Sequence, residues 1–131
     1  MSRYTAVAHF RYITRKNATQ YVGVGGGLST NYHHVVRTLT EREDRIRKDG
    51  RVIEKFIIAA PREMTMEQAI STGHRFLWKL TKGKTPYLFS IQDWNSHNPH
   101  LHCIVIDQGP DGKTVAKAWE RNSTHRFKRL W

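Results

Sequence analysis

Apolar positions recur at two spacings along the chain, and the switches between them divide it into elements. From Ala6 to Lys16, Val7, Phe10, Ile13 and Thr14 fall at helical spacing. Thr5-Ala6-Val7-Ala8 also suits an extended start, but the stretch reads best as a helix. Gly23-Val24-Gly25-Gly26-Gly27 follows, too glycine-rich for regular structure, and predicts a mobile loop near residues 22–30. No Gly-Lys-Ser/Thr follows it, so it lacks the frame of a phosphate-cradling loop. Asn31 to Arg47 predicts a charge-rich helix ended by Lys48-Asp49-Gly50. Val52 to Ala60, rich in β-branched and aromatic residues and stopped by Pro61, predicts a strand.

Thr65 and Gln68 form a capping-box pattern. They open a helix that carries Met66, Ala69, Ile70, Gly73, Leu77 and Leu80 on one face and closes at Lys82-Gly83-Lys84. Pro86–Gln92 and His100–Ile106 are both strand-like, and the polar turn between them predicts an antiparallel hairpin. Gly109-Pro110-Asp111-Gly112 marks a second turn, and Val115 to Trp131 reads as a basic, aromatic, mostly helical tail.

Composition bounds what such a chain does. Its 131 residues, 38% of them hydrophobic, suffice for one domain with a core and not for two. The 22 Lys and Arg against 11 Asp and Glu leave a formal charge of +11, a field that favours a polyanion, most commonly nucleic acid. No apolar run long enough to span a bilayer is present, and no basic amphipathic helix with a continuous apolar face, which argues against a membrane partner. The first residues lack the apolar stretch of a secretory signal. The single cysteine, Cys103, forms no intrachain disulfide, so a cytoplasmic setting is expected.

Chemistry concentrates in the last predicted strand. Residues i and i+2 of a strand share a face, so His100 and His102 present two imidazoles together, with Leu101 and Cys103 opposite. The apolar run Ile104-Val105-Ile106 would hold that pair on a central strand. Two imidazoles underligate a divalent ion. A hairpin brings Asp93, seven residues before His100, back beside them; His97 in the turn is the rival third ligand, and Gln92 a more distant one. Mixed imidazole and carboxylate ligation suits Mn²⁺ or Mg²⁺ with positions open to phosphate oxygens, and the four-ligand shell of a structural zinc is not available in this segment.

The stretch Asp93-Trp94-Asn95-Ser96-His97-Asn98-Pro99-His100-Leu101-His102 resembles the metal motif of the HUH endonucleases, and most closely that of conjugative relaxases, or mobilisation nucleases. Members of that family usually carry a proline before the paired histidines, matched by Pro99, and a third histidine about seven residues earlier, where this chain has Asp93. The resemblance implies an α+β fold, a single HUH-type nuclease domain over residues 1–131 with helices packed on a central antiparallel sheet. It also implies a tyrosine nucleophile. Replication initiators and related transposases carry that tyrosine after the histidine pair, and relaxases carry it near the N-terminus. The five tyrosines here are Tyr4, Tyr12, Tyr21, Tyr32 and Tyr87, and none follows His102. Arg11-Tyr12-Ile13-Thr14-Arg15-Lys16-Asn17 is similar to the Tyr-Leu-Ser/Thr-Arg-Lys stretch that holds the nucleophile in one relaxase branch, which points to Tyr12. Relaxases place a strand ahead of the tyrosine helix, and only residues 1–11 precede Tyr12 in this sequence.

A phenol with its usual pKa near ~10 needs nearby cations to attack a phosphate. Arg11, Arg15 and Lys16 are the local candidates, the latter two lying on the tyrosine's own helical face. The implied activity is site-specific nicking and joining of single-stranded DNA at an origin or nick site, through a 5′-phosphotyrosine, as in plasmid mobilisation. Trp94, and in the tail Trp119 and Phe127 among Lys117, Arg121, Arg126, Lys128 and Arg129, are candidates for stacking bases or for core packing. Three other readings stay open. One is a rolling-circle replication initiator of a plasmid or virus, one a non-catalytic DNA-binding relative, and one a metal-dependent phosphodiesterase that uses water.

Overall fold

The computed structural model describes residues 6–44, 53–83, 85–95 and 99–106. In chain order these form α1 (Ala6–Ile13), β1 (Thr19–Gly25), α2 (Tyr32–Asp44), β2 (Ile53–Ala59), α3 (Met66–Thr81), β3 (Tyr87–Gln92) and β4 (His100–Ile106). The four strands make one sheet in the order β1-β3-β4-β2, every neighbouring pair antiparallel. The fold is therefore α+β with helices on a central antiparallel sheet, as expected. The expected second turn near residues 109–112 and the tail over 115–131 lie outside the described residues, as does His97.

Alternation along the strands sends two sets of side chains to opposite faces. On one face Leu101, Cys103 and Val105 of β4 join Tyr87, Phe89 and Ile91 of β3 beneath Ala69, Phe76, Leu77 and Leu80 of α3. On the other, Leu88, Ile104 and Ile106 meet Ala6, Phe10 and Ile13 of α1 and Val35 and Leu39 of α2. β3 is buried at every position, as a central strand covered on both faces should be. Helix α3 begins with the predicted capping box, Thr65 and Gln68 each satisfying the other's backbone N–H. The first turn of α1 is held from α2, where the Glu43 carboxylate accepts the Ala6 N–H. Among the described residues no helix is long and apolar enough to cross a membrane.

One expectation fails. Thr19–Gly25 is a strand, and only beyond it, at Gly26 and Gly27 with φ of 66° and 89°, does the chain turn. Composition alone misled, because these glycines answer to their neighbours across the sheet. Gly23 lies opposite Phe89 and Gly25 opposite Tyr87. A Cβ built on Gly23 would stand 2.5 Å from the Phe89 ring, and one on Gly25 would stand 2.3 Å from that of Tyr87. The aromatic rings of β3 cover the space that side chains on β1 would fill, so strand pairing survives the glycine entropy cost.

Candidate active site

The predicted β3–β4 hairpin forms, and its turn end is polar where the rest of that face is apolar. Gln92 pairs with His100 and Ser90 with His102, so four polar side chains form a block continuing the row of Leu88, Ile104 and Ile106. Both histidines face α1 and α2, with their Nε2 atoms 3.0 Å apart. Pro99 enters the site as the residue leading into β4, and its carbonyl accepts the Ala60 N–H at 3.0 Å, extending the β2–β4 ladder by one step. Burial pushes the His102 imidazole below its usual pKa. The charges of His100 and Arg15 act in the same direction, against an opposing pull from Asp93. A neutral imidazole is the form that donates a lone pair.

Asp93 ends β3 in the left-handed region, φ 55°, a conformation that aspartate tolerates better than most residues. The hairpin brings it back as predicted, with Oδ2 3.9 Å from His100 Nε2. The donors brought together are thus two imidazole nitrogens and one carboxylate. Among the described residues no group of three or more His, Cys, Asp or Glu side chains is arranged to hold a metal ion. The pair of adjacent nitrogens with a carboxylate alongside is nonetheless a donor set of the right chemistry for part of an open divalent site. Trp94, by contrast, packs half-buried against the core under α3.

Tyr12 projects from the last turn of α1 and is 56% exposed. It lines a cavity of about 510 Å³ together with His102, His9, Lys55 and Ile57, so the tyrosine and one histidine of the pair open onto the same space. Of the predicted cations, Arg15 lies nearest. Its guanidinium carbon sits 4.1 Å from the centre of the Tyr12 ring, and one of its N–H groups donates to the Tyr12 carbonyl at 2.7 Å. Arg11 turns the other way and donates to the Tyr32 hydroxyl at 2.9 Å. Lys16 is exposed just past the helix. Sequence reasoning missed His9 and Lys55, whose side-chain nitrogens meet across the cavity wall. His9 was detectable, three residues before Tyr12 on the same helical face. Lys55 gave no local signal, because its position depends on β2 pairing with β4.

Comparison with known proteins adds to this geometry. Residues 12–130 match the family model described as "Relaxase: MobA/VirD2-like, nuclease domain". The chain belongs to this family. DNA nicking in conjugative mobilisation is the activity of relaxase nuclease domains as a class, and the match begins at Tyr12 itself. A solved structure described as the molecular basis of vancomycin resistance transfer in Staphylococcus aureus shares the fold with a TM-score of 0.66 at 16% identity. The likeness covers 86% of this relaxase-family chain and 66% of the other, so the chain spans slightly less than two thirds of that structure's length. No curated protein sequence matches.

Proposed function

We propose that the chain nicks and rejoins single-stranded DNA at a specific site through a 5′-phosphotyrosine on Tyr12, in the manner of plasmid mobilisation. The observation that carries this reading is the cavity shared by Tyr12 and His102. In this reading His100 and His102, with Asp93 or His97 as third donor, hold Mn²⁺ or Mg²⁺. Such an ion, when bound, would neutralise charge on a non-bridging oxygen of the scissile phosphate.

The Tyr12 oxygen attacks phosphorus in line as its proton passes to water. The bond from phosphorus to the 3′-oxygen of the upstream nucleotide breaks, and that oxygen takes up a proton to leave a free 3′-hydroxyl. One phosphodiester is exchanged for another, so the reverse attack by a 3′-hydroxyl rejoins the strand without an added energy source. Arg15 stands over the Tyr12 ring, where its fixed charge faces the incoming phosphate. Lys55 and His9 line the other side of the cavity, and the excess of 11 positive charges draws the strand in.

The test incubates the protein with labelled single-stranded origin DNA and Mn²⁺ and looks for a covalent adduct by mass spectrometry. Wild-type protein should form it, with the nucleotide mapped to Tyr12, and Tyr12→Phe should not. An adduct that persists in Tyr12→Phe would assign the nucleophile elsewhere. Cleavage without any adduct would point to a water-using phosphodiesterase.

A further inference from the structure

The carbonyl of Ile13, next to the tyrosine, is held in an unusual way. Helix ends leave their last carbonyls without intrahelical partners, and on α1 the carbonyls of Phe10, Tyr12 and Ile13 each accept from a side chain. Thr14 Oγ1 donates to the Phe10 carbonyl at 2.7 Å and Arg15 to that of Tyr12. The Ile13 carbonyl accepts from two donors, Gln92 Nε2 at 2.8 Å and Thr19 Oγ1 at 3.1 Å. These donors come from different strands but from one row of the sheet. Thr19 pairs with Gln92 across β1 and β3, and Gln92 pairs with His100 across β3 and β4. A single cross-strand row therefore runs from the end of the tyrosine's helix to the first histidine of the pair.

Gln92 is the middle of that row, and it is only 3% exposed. A buried amide is costly unless its hydrogen bonds are made, and further along the same face the positions are filled by Leu88, Ile104 and Ile106. An unbranched apolar residue would fill much the same space beside Thr19, Ser90 and His100. What it would not do is hold the end of α1 to the strand that leads to His100.

We infer that Gln92 is a positioning residue, which fixes the end of α1, and Tyr12 with it, in register with His100 through the hydrogen bond to Ile13. The inference rests on the proposed role of Tyr12. Gln92 touches neither nucleophile nor phosphate. It acts through backbone, setting where the phenol oxygen stands relative to the imidazoles.

The test is Gln92→Met, which keeps the length and removes the donor, studied in the full chain. Single-turnover adduct formation with Mn²⁺ and labelled single-stranded DNA should slow by about tenfold to a hundredfold at saturating DNA, the scale expected of a nucleophile displaced by about an ångström. The half-saturating DNA concentration should stay within about twofold, since Lys55 and the other residues lining the cavity are unchanged. Amide exchange over residues 14–18 should quicken while that of α3 stays the same. Thr19→Val, which removes the other donor, should give a weaker version of the same pattern. Adduct formation at the wild-type rate, or unchanged exchange over 14–18, would overturn the inference and leave the Tyr12 reading standing. So would a slower rate that merely follows a loss of folded protein. If wild-type protein forms no adduct on Tyr12, the reading of the site fails and this inference fails with it.

Discussion

The two faces of the sheet are built from the same strands and are used differently. On β4, Leu101, Cys103 and Val105 face α3 and are almost wholly buried, while His100 and His102 face α1 and stay half-buried. On β3, Phe89 and Ile91 go one way, Ser90 and Gln92 the other. Polar groups are therefore tolerated at the turn end of one face because the other face, where Glu54 is the buried charged residue of β2, carries the large apolar core under α3. The site does not contribute its own share of hydrophobic burial; the residues directly behind it do.

The largest effect expected from breaking this division is on the α3 face. Phe89 is fully buried between α3 and the glycines of β1, and Phe89→Ala should cost ~3–5 kcal/mol, read from denaturant unfolding. Gly23→Ala forces a methyl group into the edge of that ring and should cost about 1–3 kcal/mol in the same assay. On the opposite face Asp93→Asn keeps the left-handed backbone and removes the charge. Stability should move by no more than about 0.5 kcal/mol, because the side chain is exposed. Mn²⁺ affinity by calorimetry should fall by on the order of tenfold, and an unchanged affinity would pass the third ligand to His97.

The smallest effect expected is with pH. Burial lowers the pKa of His74, whose Nδ1 lies 2.8 Å from the Tyr87 hydroxyl behind β3. A lowered folded-state pKa means that the unfolded chain takes up a proton the folded chain resists. Stability is then fully present above the unfolded value of 6.5 and declines as pH falls through the lower folded value. His9 and His102 shift in the same direction. Denaturation midpoints should fall on the acid side of 6.5, and His74→Gln should flatten part of that slope.

Elements with strong local signals were legible in the sequence. The capping box at Thr65, the six-residue apolar face of α3 and the β3–β4 hairpin all appear where period and turn chemistry put them. Within the site, the shared face of His100 and His102 and the return of Asp93 follow from strand period and hairpin closure. What escaped depends on partners distant in sequence. β1 is a strand because Phe89 and Tyr87, more than sixty residues away, lie over its glycines. Lys55 joins the cavity only through sheet order, and Gln92 holds Ile13 across 79 residues. Arg11, adjacent to Tyr12 in sequence, instead meets Tyr32 on α2.

Cys103 lends this division a practical use. It is the only cysteine of the chain, it lies between the two histidine-side neighbours yet faces α3, and burial raises its thiol pKa so far that the reactive thiolate is suppressed in the folded protein. Modification by a thiol reagent therefore requires the α3 face to open. The rate of labelling is a clock for the opening of the core, running in the same strand as the imidazoles whose chemistry is read from the other side.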